Sequence, residues 1–388
     1  MQIDEFKSQR AGKVVKVPDK GYSAFVPNPL PPEINYSEKL IGILADANRL
    51  LGTLNGTGSL LPNPQLLIIP YTRREAVLSS KIEGTKASLS DLFYFEAASK
   101  DEQKRKGEKS DVLEVFNYVQ ALNHGIRSLK KLPVCIRLIN EMHEILMKGV
   151  SGQHMTPGEF RQSQNWIGPA GCTLNDATFV PPPVHEMKQA IGEFERFLHV
   201  KEGISPLIQC ALIHYQFEAI HPYLDGNGRI GRLLVTLFLS EWELLANPML
   251  YLSAFFEKYR SEYYEKLLAV SQKGQWEEWL CFFLKAVSVQ SEKANDNSKA
   301  IMHLWESYRS RIQEQRMSVF VAKLLDELFK NPFISISRAS KLLKTSFPTA
   351  QLAIEKLEAL KILFKASDKQ RGKIYCAKEL LELLEKGS

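Results

Sequence analysis

The chain predicts a mainly α-helical fold with one short β-hairpin and a small mixed unit near its C-terminus. Three observations predict it. Apolar residues recur at helical spacing through most of the 388 residues. One stretch, GEFRQSQNWIGPAGCTLNDATFVPPP, instead sets two strand-like pieces, FRQSQNWI and ATFV, on either side of a Gly/Asn/Asp-rich turn. Near the end, three helical patterns precede ILFKASDKQRGKIYC, which reads as two strands joined by a basic turn. Three helices and a two-stranded wing make a winged helix, a variant of helix-turn-helix.

The first 35 residues are turn-rich and end in PNPLPPE, a segment suited to draping over a domain rather than forming one. A helix is expected over 36–54, after which GTLNGTGSLLPNP breaks the pattern. Helical spacing returns over 72–81, stops at Gly84 and resumes over 89–98. The charged run DEQKRKGEKSD reads as an exposed connection. Further helices are expected over 112–129, 134–148, 184–199, 207–220, 230–246, 254–270 and 276–291, with the hairpin between the second and third of these. SEKANDNSKA then marks either a hinge or the continuation of the last helix. The final unit takes helices at 320–329, 336–343 and 349–360 before its two strands. The regions so defined are 1–110, 111–298 and 299–388.

Charge and cysteine usage narrow the function. A net charge of +6 is too small to require a nucleic-acid partner. Five cysteines, odd in number and never spaced CxxC, argue against a disulfide framework or a structural zinc site and fit a reducing cytoplasm. The opening residues MQIDEFKSQRAGK lack the apolar core of a secretory signal. No apolar run approaches the roughly 20 residues of a membrane span.

The stretch HPYLDGNGRIGR, residues 221–232, concentrates more polar chemistry than a turn requires. The helix before it stops at Pro222 and another starts near Arg229, so it is a loop leading into a helix N-terminus. Backbone N–H groups in the first turn of a helix lack helical partners and point at whatever lies there. Gly226 and Gly228 let the loop wrap its amides around an anion. Arg229 and Arg232 add forked donors that suit a phosphate chain. Asp225 beside such a site is repulsive unless a cation lies between them, which points to Mg²⁺. His221 can take a proton from a hydroxyl near neutral pH.

Together these groups suit phosphoryl or nucleotidyl transfer. DGNG alone is an ordinary turn sequence. Two arginines three apart and a metal-type acid are what a turn leaves unexplained. The Walker-type loop GxxxxGK[ST] is absent, and His214 and His221 lack the HExxH spacing of a zinc hydrolase.

The stretch closely resembles the signature of the Fic family, HxFx[D/E]GNGRxxR. The match runs through His221, Asp225, Gly226, Asn227, Gly228, Arg229 and Arg232. Tyr223 stands where the family prefers phenylalanine, which keeps an aromatic anchor but adds a hydroxyl that needs a partner if buried. The resemblance implies a helical core that transfers AMP from ATP to a Tyr, Ser or Thr hydroxyl of a target protein; minority members move other phosphate-containing groups or remove AMP. It implies His221 as general base, Asp225 as the Mg²⁺ ligand and Asn227 at the α-phosphate. The amides of Gly226 and Gly228 would form the anion nest, with Arg229 at the β/γ-phosphates and Arg232 near the γ-phosphate. The hairpin at 160–180 becomes a flap that holds the target by backbone pairing. Tyr259, Tyr263 and Tyr264 are candidates for the adenine pocket. A homodimer is also implied.

SSKIEG, residues 79–84, matches the inhibitory motif [S/T]xxxE[G/N] found with many Fic domains, through Ser79, Glu83 and Gly84. Its physical meaning is direct: Glu83 would pair with Arg232 and take the space and charge that a γ-phosphate needs.

The C-terminal unit supports a rival function, that of a DNA-binding regulator through residues 318–376. Between Lys341 and Lys373 stand eight basic residues (Lys341, Lys344, Lys356, Lys361, Lys365, Lys369, Arg371, Lys373) against three acidic ones (Glu355, Glu358, Asp368), a field that a duplex attracts. The expected recognition helix, PTAQLAIEKLEALK, offers only Thr349 and Gln351 to base edges. Protein docking fits that composition better than sequence-specific DNA reading.

Overall fold

A computed structural model of the chain describes residues 1–60, 63–98, 111–150, 154–366 and 373–386. Strands β1 (Gly12–Val17) and β2 (Tyr22–Pro27) pair antiparallel, Val14 opposite Phe25, through a turn closed by Gly21 at φ 68°. The first 35 residues thus form a hairpin where the sequence suggested only an extended arm. It still drapes: Phe25 packs between Phe6 and Phe179, with ring centroids 5.6 and 5.7 Å away, and its N–H donates to Val180 O at 2.9 Å.

Helix α1 (Glu38–Leu60) runs through the glycine-rich stretch expected to end it. Tertiary contacts override the weak local propensity. α1 lies along the long helix α11 (Trp276–Glu314), Thr57 Oγ1 donates to Asn295 Oδ1 at 2.7 Å, and Asn55 Oδ1 accepts from Ala246 N–H at 2.8 Å. Helix α2 (Gln65–Ile82) starts earlier than its periodicity suggested, and α3 (Leu89–Ala97) opens on a Ser88/Asp91 capping box. α4 (Asp111–Ser128), α5 (Ile136–Leu146), α6 (Val184–Leu198), α7 (Pro206–Ile220) and α8 (Asn227–Glu241) follow the apolar spacing closely. The pattern over 254–270 divides at Tyr259 into α9 (Ser253–Lys258) and α10 (Arg260–Lys273).

The suggested hinge SEKANDNSKA lies inside α11, where buried Ala294, Ser298 and Ile301 keep a packing face; continuation is what occurs. Beyond it come α12 (Val319–Lys330), β3 (Phe333–Ser335), α13 (Ile336–Leu343), α14 (Phe347–Ala359), β4 (Phe364–Lys365), β5 (Ile374–Cys376) and α15 (Lys378–Lys386). β5 pairs antiparallel with both β3 and β4. β3 and α15 had no sequence expectation. The basic turn at 367–372 and most of DEQKRKGEKSD lie outside the described residues.

The expected flap is not a strand pair. Ile167 and Phe179 form one isolated antiparallel bridge, with N–H···O distances of 2.8 and 3.0 Å, and the rest of 160–180 is turn and loop. Its stem is held sideways instead: Arg161 N–H donates to Pro222 O at 2.9 Å, which takes that backbone out of any ladder. One apolar core extends from α1 through the central helices into α12–α15. No helix among the described residues is long and apolar enough to cross a membrane.

Candidate functional site

Helix α7 is buried at every residue from Leu207 to Ile220 except Glu218, so its C-terminal end is fixed within the core. There the chain turns through His221, which adopts φ 49° and ψ 60°. A left-handed conformation costs a non-glycine residue roughly 1–2 kcal/mol. It is held by the N–H bond to Phe217 O at 3.0 Å. Nδ1 of His221 lies 3.2 Å from the carbonyl of Glu218. A carbonyl only accepts, so Nδ1 carries the proton and Nε2 keeps its lone pair. Burial pushes the imidazole down to about 4, which leaves it neutral at physiological pH.

The loop is braced from within. Asn227 Oδ1 accepts from Tyr223 N–H at 2.9 Å while its Nδ2 donates to Tyr223 O at 2.8 Å. Asn227 therefore shapes the loop, and its side-chain amide keeps one further hydrogen to donate. The buried Tyr223 stacks on His143 at 3.8 Å and donates its hydroxyl to Asn140 Oδ1 at 2.6 Å, which supplies the partner that its substitution for phenylalanine demands. His143 had no sequence signal beyond the apolar face of its helix. Its Nδ1 accepts from Gly158 N–H at 2.8 Å, so Nε2 donates to Asp225 O at 2.9 Å.

Gly226, at φ 79°, opens α8. The first helical bond is Ile230 N–H to Gly226 O at 3.0 Å, so the amides of Asn227, Gly228 and Arg229 lack partners in the helix. A carboxylate of the protein itself lies beside Gly228. A Cβ on Gly228 would collide with Glu83 Oε1 and lie 3.0 Å from Arg232 Nη1. The missing side chain is the space that Glu83 uses.

Glu83 follows α2, and Gly84 turns the chain away at φ 102°. Arg232, 3% exposed, spends its guanidinium on this segment: Nε to Ser79 Oγ at 2.8 Å, Nη2 to Ser79 O at 3.0 Å and Nη2 to Glu83 Oε1 at 2.6 Å. Burial alone would depress Arg232 and raise Glu83. Their mutual attraction overcomes it, holding Arg232 above and Glu83 below the ordinary values. Arg229 reaches the other way, to Glu114 Oε2 at 3.1 Å and Asp225 Oδ1 at 3.4 Å. Asp225 keeps 47% of its side chain exposed and receives Gly226 N–H at 2.6 Å.

Beside this loop lies a cavity of about 610 Å³. Among the described residues its wall takes in Glu83, Gly228 and Arg232, but not His221, Asp225 or Arg229. Of the tyrosines proposed for a base pocket, Tyr264 lines it. Tyr263 is buried with its hydroxyl on His214 Nε2 at 2.8 Å, and Tyr259 is 38% exposed outside the cavity. Glu75 had no sequence signal. A buried residue of α2, it accepts from Ser253 Oγ at 2.5 Å and Tyr118 Oη at 3.1 Å, which fixes the helix that carries Ser79.

In the C-terminal unit, the polar groups suggested for base reading are engaged. Thr349 Oγ1 lies 2.9 Å from Ser346 Oγ, and Gln351 Nε2 donates to Glu355 Oε1 at 2.8 Å. Phe347 and Leu352 of α14, each 52% exposed, and Leu342 of α13 lie exposed there too, alongside exposed Lys341, Lys344 and Gln351.

Two family models match the chain. That described as Fic/DOC family N-terminal covers residues 41–127, and that described as Fic/DOC family covers 133–239, together half of the chain. A probable protein adenylyltransferase of Aquifex aeolicus is 29% identical over 180 residues, which make up 45% of this chain and 49% of that protein. The protein adenylyltransferase Fic of Drosophila ananassae is 33% identical over 116 residues, 29% of this chain and 20% of that protein. The chain thus spans about half the length, or less, of these curated relatives. Among solved structures, a Fic family protein from Desulfovibrio desulfuricans G20 has a TM-score of 0.55 at 18% identity, covering 90% of this chain and 98% of that one. That likeness is one of fold.

Proposed function

The chain belongs to the Fic/DOC family, and from that premise we propose that it is a protein adenylyltransferase restrained by its own Glu83. The observation that carries this reading is the contact of Glu83 with Arg232 over the bare face of Gly228. A carboxylate seated against a helix N-terminus and a buried arginine marks an anion cradle, and here the anion is internal. The adenylyltransferases among its relatives point to the same chemistry.

With Glu83 withdrawn, the first-turn amides and Arg232 would receive the phosphates of ATP, while Arg229 would add charge from the loop. Nε2 of His221 would take the proton of a Tyr, Ser or Thr hydroxyl on the target protein. That oxygen would bond to the α-phosphorus as the bond to the β-phosphate oxygen breaks, giving a phosphodiester and pyrophosphate. Asp225 is an exposed carboxylate beside the cradle, and no cluster of three or more acidic, histidine or cysteine ligands occurs among the described residues. A lone carboxylate suits Mg²⁺, which keeps waters and takes its other oxygens from phosphate. Bound there, it would offset phosphate charge.

The division into 1–110, 111–298 and 299–388 is part of this reading, with α11 crossing the second boundary as a rigid connection. Helices α12–α14 and strands β3–β5 are read as a winged helix. Exposed Phe347, Leu352 and Leu342 favour a protein partner over DNA for it; a mobility shift weakening with salt would reverse that preference. A homodimer in a reducing cytoplasm is the expected setting.

The test is the intact mass of the purified Glu83→Gly protein after incubation with ATP and Mg²⁺. Gain of one AMP unit, absent from the same protein carrying His221→Ala, is the expected result. No gain on the protein or on any protein of a cell extract would overturn the proposal.

A further inference from the structure

Arg161 is 0% exposed and pairs with no carboxylate among the described residues. A buried cation normally has an anion beside it, because desolvating a lone charge is costly. Arg161 is solvated by backbone carbonyls instead. Nε donates to His221 O at 3.0 Å, Nη1 to Ser163 O at 3.2 Å and Nη2 to Pro182 O. Its own N–H donates to Pro222 O at 2.9 Å. Four residues on, Asn165 Nδ2 donates to the same His221 carbonyl at 3.2 Å and to Tyr223 O at 2.8 Å.

The carbonyl of His221 lies at the point where α7 has ended, so it has no helical donor to receive. It is also the carbonyl whose direction sets ψ of a left-handed residue. The ring reaches Glu218 O, and so keeps Nε2 unprotonated, only while that conformation persists. The donors that fix it, Arg161 and Asn165, stand at the start of the 160–182 segment, and Arg161 Nη2 donates on to Pro182 O at its far end.

We propose that Arg161, assisted by Asn165, is a positioning residue for His221: it clamps the backbone carbonyl of the general base and ties the base's orientation to the stem of the flap. This rests on the adenylyl-transfer reading for its consequence in rate, though not for the geometry. A segment that moves when a target docks would then move His221 with it. Chemistry would be coupled to the presence of an acceptor.

The experiment uses the full chain carrying Glu83→Gly, with Arg161→Met, Arg161→Lys or Asn165→Leu added. One readout is the rate of self-incorporated AMP against ATP concentration. The other, without nucleotide, is the ¹⁵N spectrum of labelled histidine rings, with His221 assigned by its loss in His221→Ala. The parent should show His221 as a single Nδ1–H tautomer. Arg161→Met should give mixed tautomers and lower kcat on the order of a hundredfold, with KM for ATP changed less than about threefold. Arg161→Lys should recover part of both, and Asn165→Leu should show a smaller loss of the same kind.

An unchanged His221 tautomer in Arg161→Met, or a rise in KM with kcat preserved, overturns the proposal. If Arg161→Met does not fold, Arg161→Lys and Asn165→Leu decide by the same criteria. If the parent incorporates no AMP, the transfer reading fails by itself, and the ring spectra still decide the clamp.

Discussion

Oε1 of Glu83 stands 2.6 Å from Nη2 of Arg232, above the position where any side chain on Gly228 would project. One carboxylate thereby neutralises a buried arginine and fills the room beside Gly228. Charge and volume act together.

Removing that carboxylate should raise activity by both routes. Glu83→Gly is expected to increase AMP incorporation at least tenfold and to lower KM for ATP, measured with α-labelled nucleotide. Glu83→Gln, which keeps the volume and removes the charge, should fall between the parent and glycine. Glu83 keeps 36% of its side chain exposed, so solvent screening limits the pair's contribution to stability to about 1 kcal/mol. The activity change should therefore come with little change in Tm.

The same pair makes a prediction about pH. Arg232 holds Glu83 below its ordinary value of 4.5 despite burial acting the other way. A depressed carboxyl contributes stability that is present above the unfolded value and lost as pH falls through the folded one. The Tm difference between wild type and Glu83→Gln should stay constant from neutrality down to the carboxylate range and vanish only in stronger acid. A difference that already shrinks near pH 7 would contradict the assignment.

Gly228→Ala separates the brake from the cradle. The new Cβ would displace Glu83 Oε1, yet it would occupy the space a phosphate needs. Calorimetry with ATP and Mg²⁺ should show weaker binding than wild type and no gain in AMP incorporation. Glu83→Gly should show the reverse. Activation by Gly228→Ala would mean that phosphates do not sit on these amides.

These relationships were unequally legible in the sequence. The 221–232 loop could be read because its chemistry is contiguous, and Glu83 because a second motif announces it. Arg161 and His143 could not be read, since their partners lie 60 and 82 residues away and each contact is to a backbone carbonyl that carries no residue-type signal. The extension of α1 through Gly56 and Gly58 was hidden for a similar reason: packing against α11 and Met249 replaces the propensity that those glycines lack. The Gly/Asn/Asp-rich turn between FRQSQNWI and ATFV predicts paired strands, but only Ile167 and Phe179 pair, because Arg161 and Asn165 face inward to bind the loop.

A neutral base gives the rate a distinctive pH profile. Burial lowers His221 from 6.5 to about 4. In the Glu83→Gly background kcat should show no inflection near 6.5 and should decline only in the range where the ring takes up a proton. His143 and His214 are lowered by burial to about 4 and about 3. All three bind protons more readily unfolded, so they contribute stability that is present above 6.5 and lost as pH falls toward their folded values. Thermal unfolding followed from pH 7 to 4 should show that decline. His221→Ala should lower kcat on the order of 10²–10⁴-fold.

The C-terminal unit is joined through Glu96 to α2, the helix that carries Ser79. At the end of α3, its carboxylate receives Arg73 Nε of α2 at 2.8 Å and Asn331 Nδ2 at 3.4 Å, while Arg338 donates to its backbone carbonyl. Asn331 also donates to Phe93 O at 3.1 Å, and the rings of Tyr94 and Phe333 meet edge-on at 5.9 Å. Arg73 and Glu96 keep only 16% and 7% of their side chains exposed. Glu96→Ala would leave Arg73 without its ion-pair partner in that environment, a loss of about 3 kcal/mol. A lower Tm should accompany it. Because α12 packs on α2, the helix that presents Ser79 and Glu83 should loosen as well, and self-incorporation of AMP should rise at temperatures well below unfolding. A destabilised variant whose AMP incorporation stays at the wild-type level would show that the brake is set by α2 and the core alone.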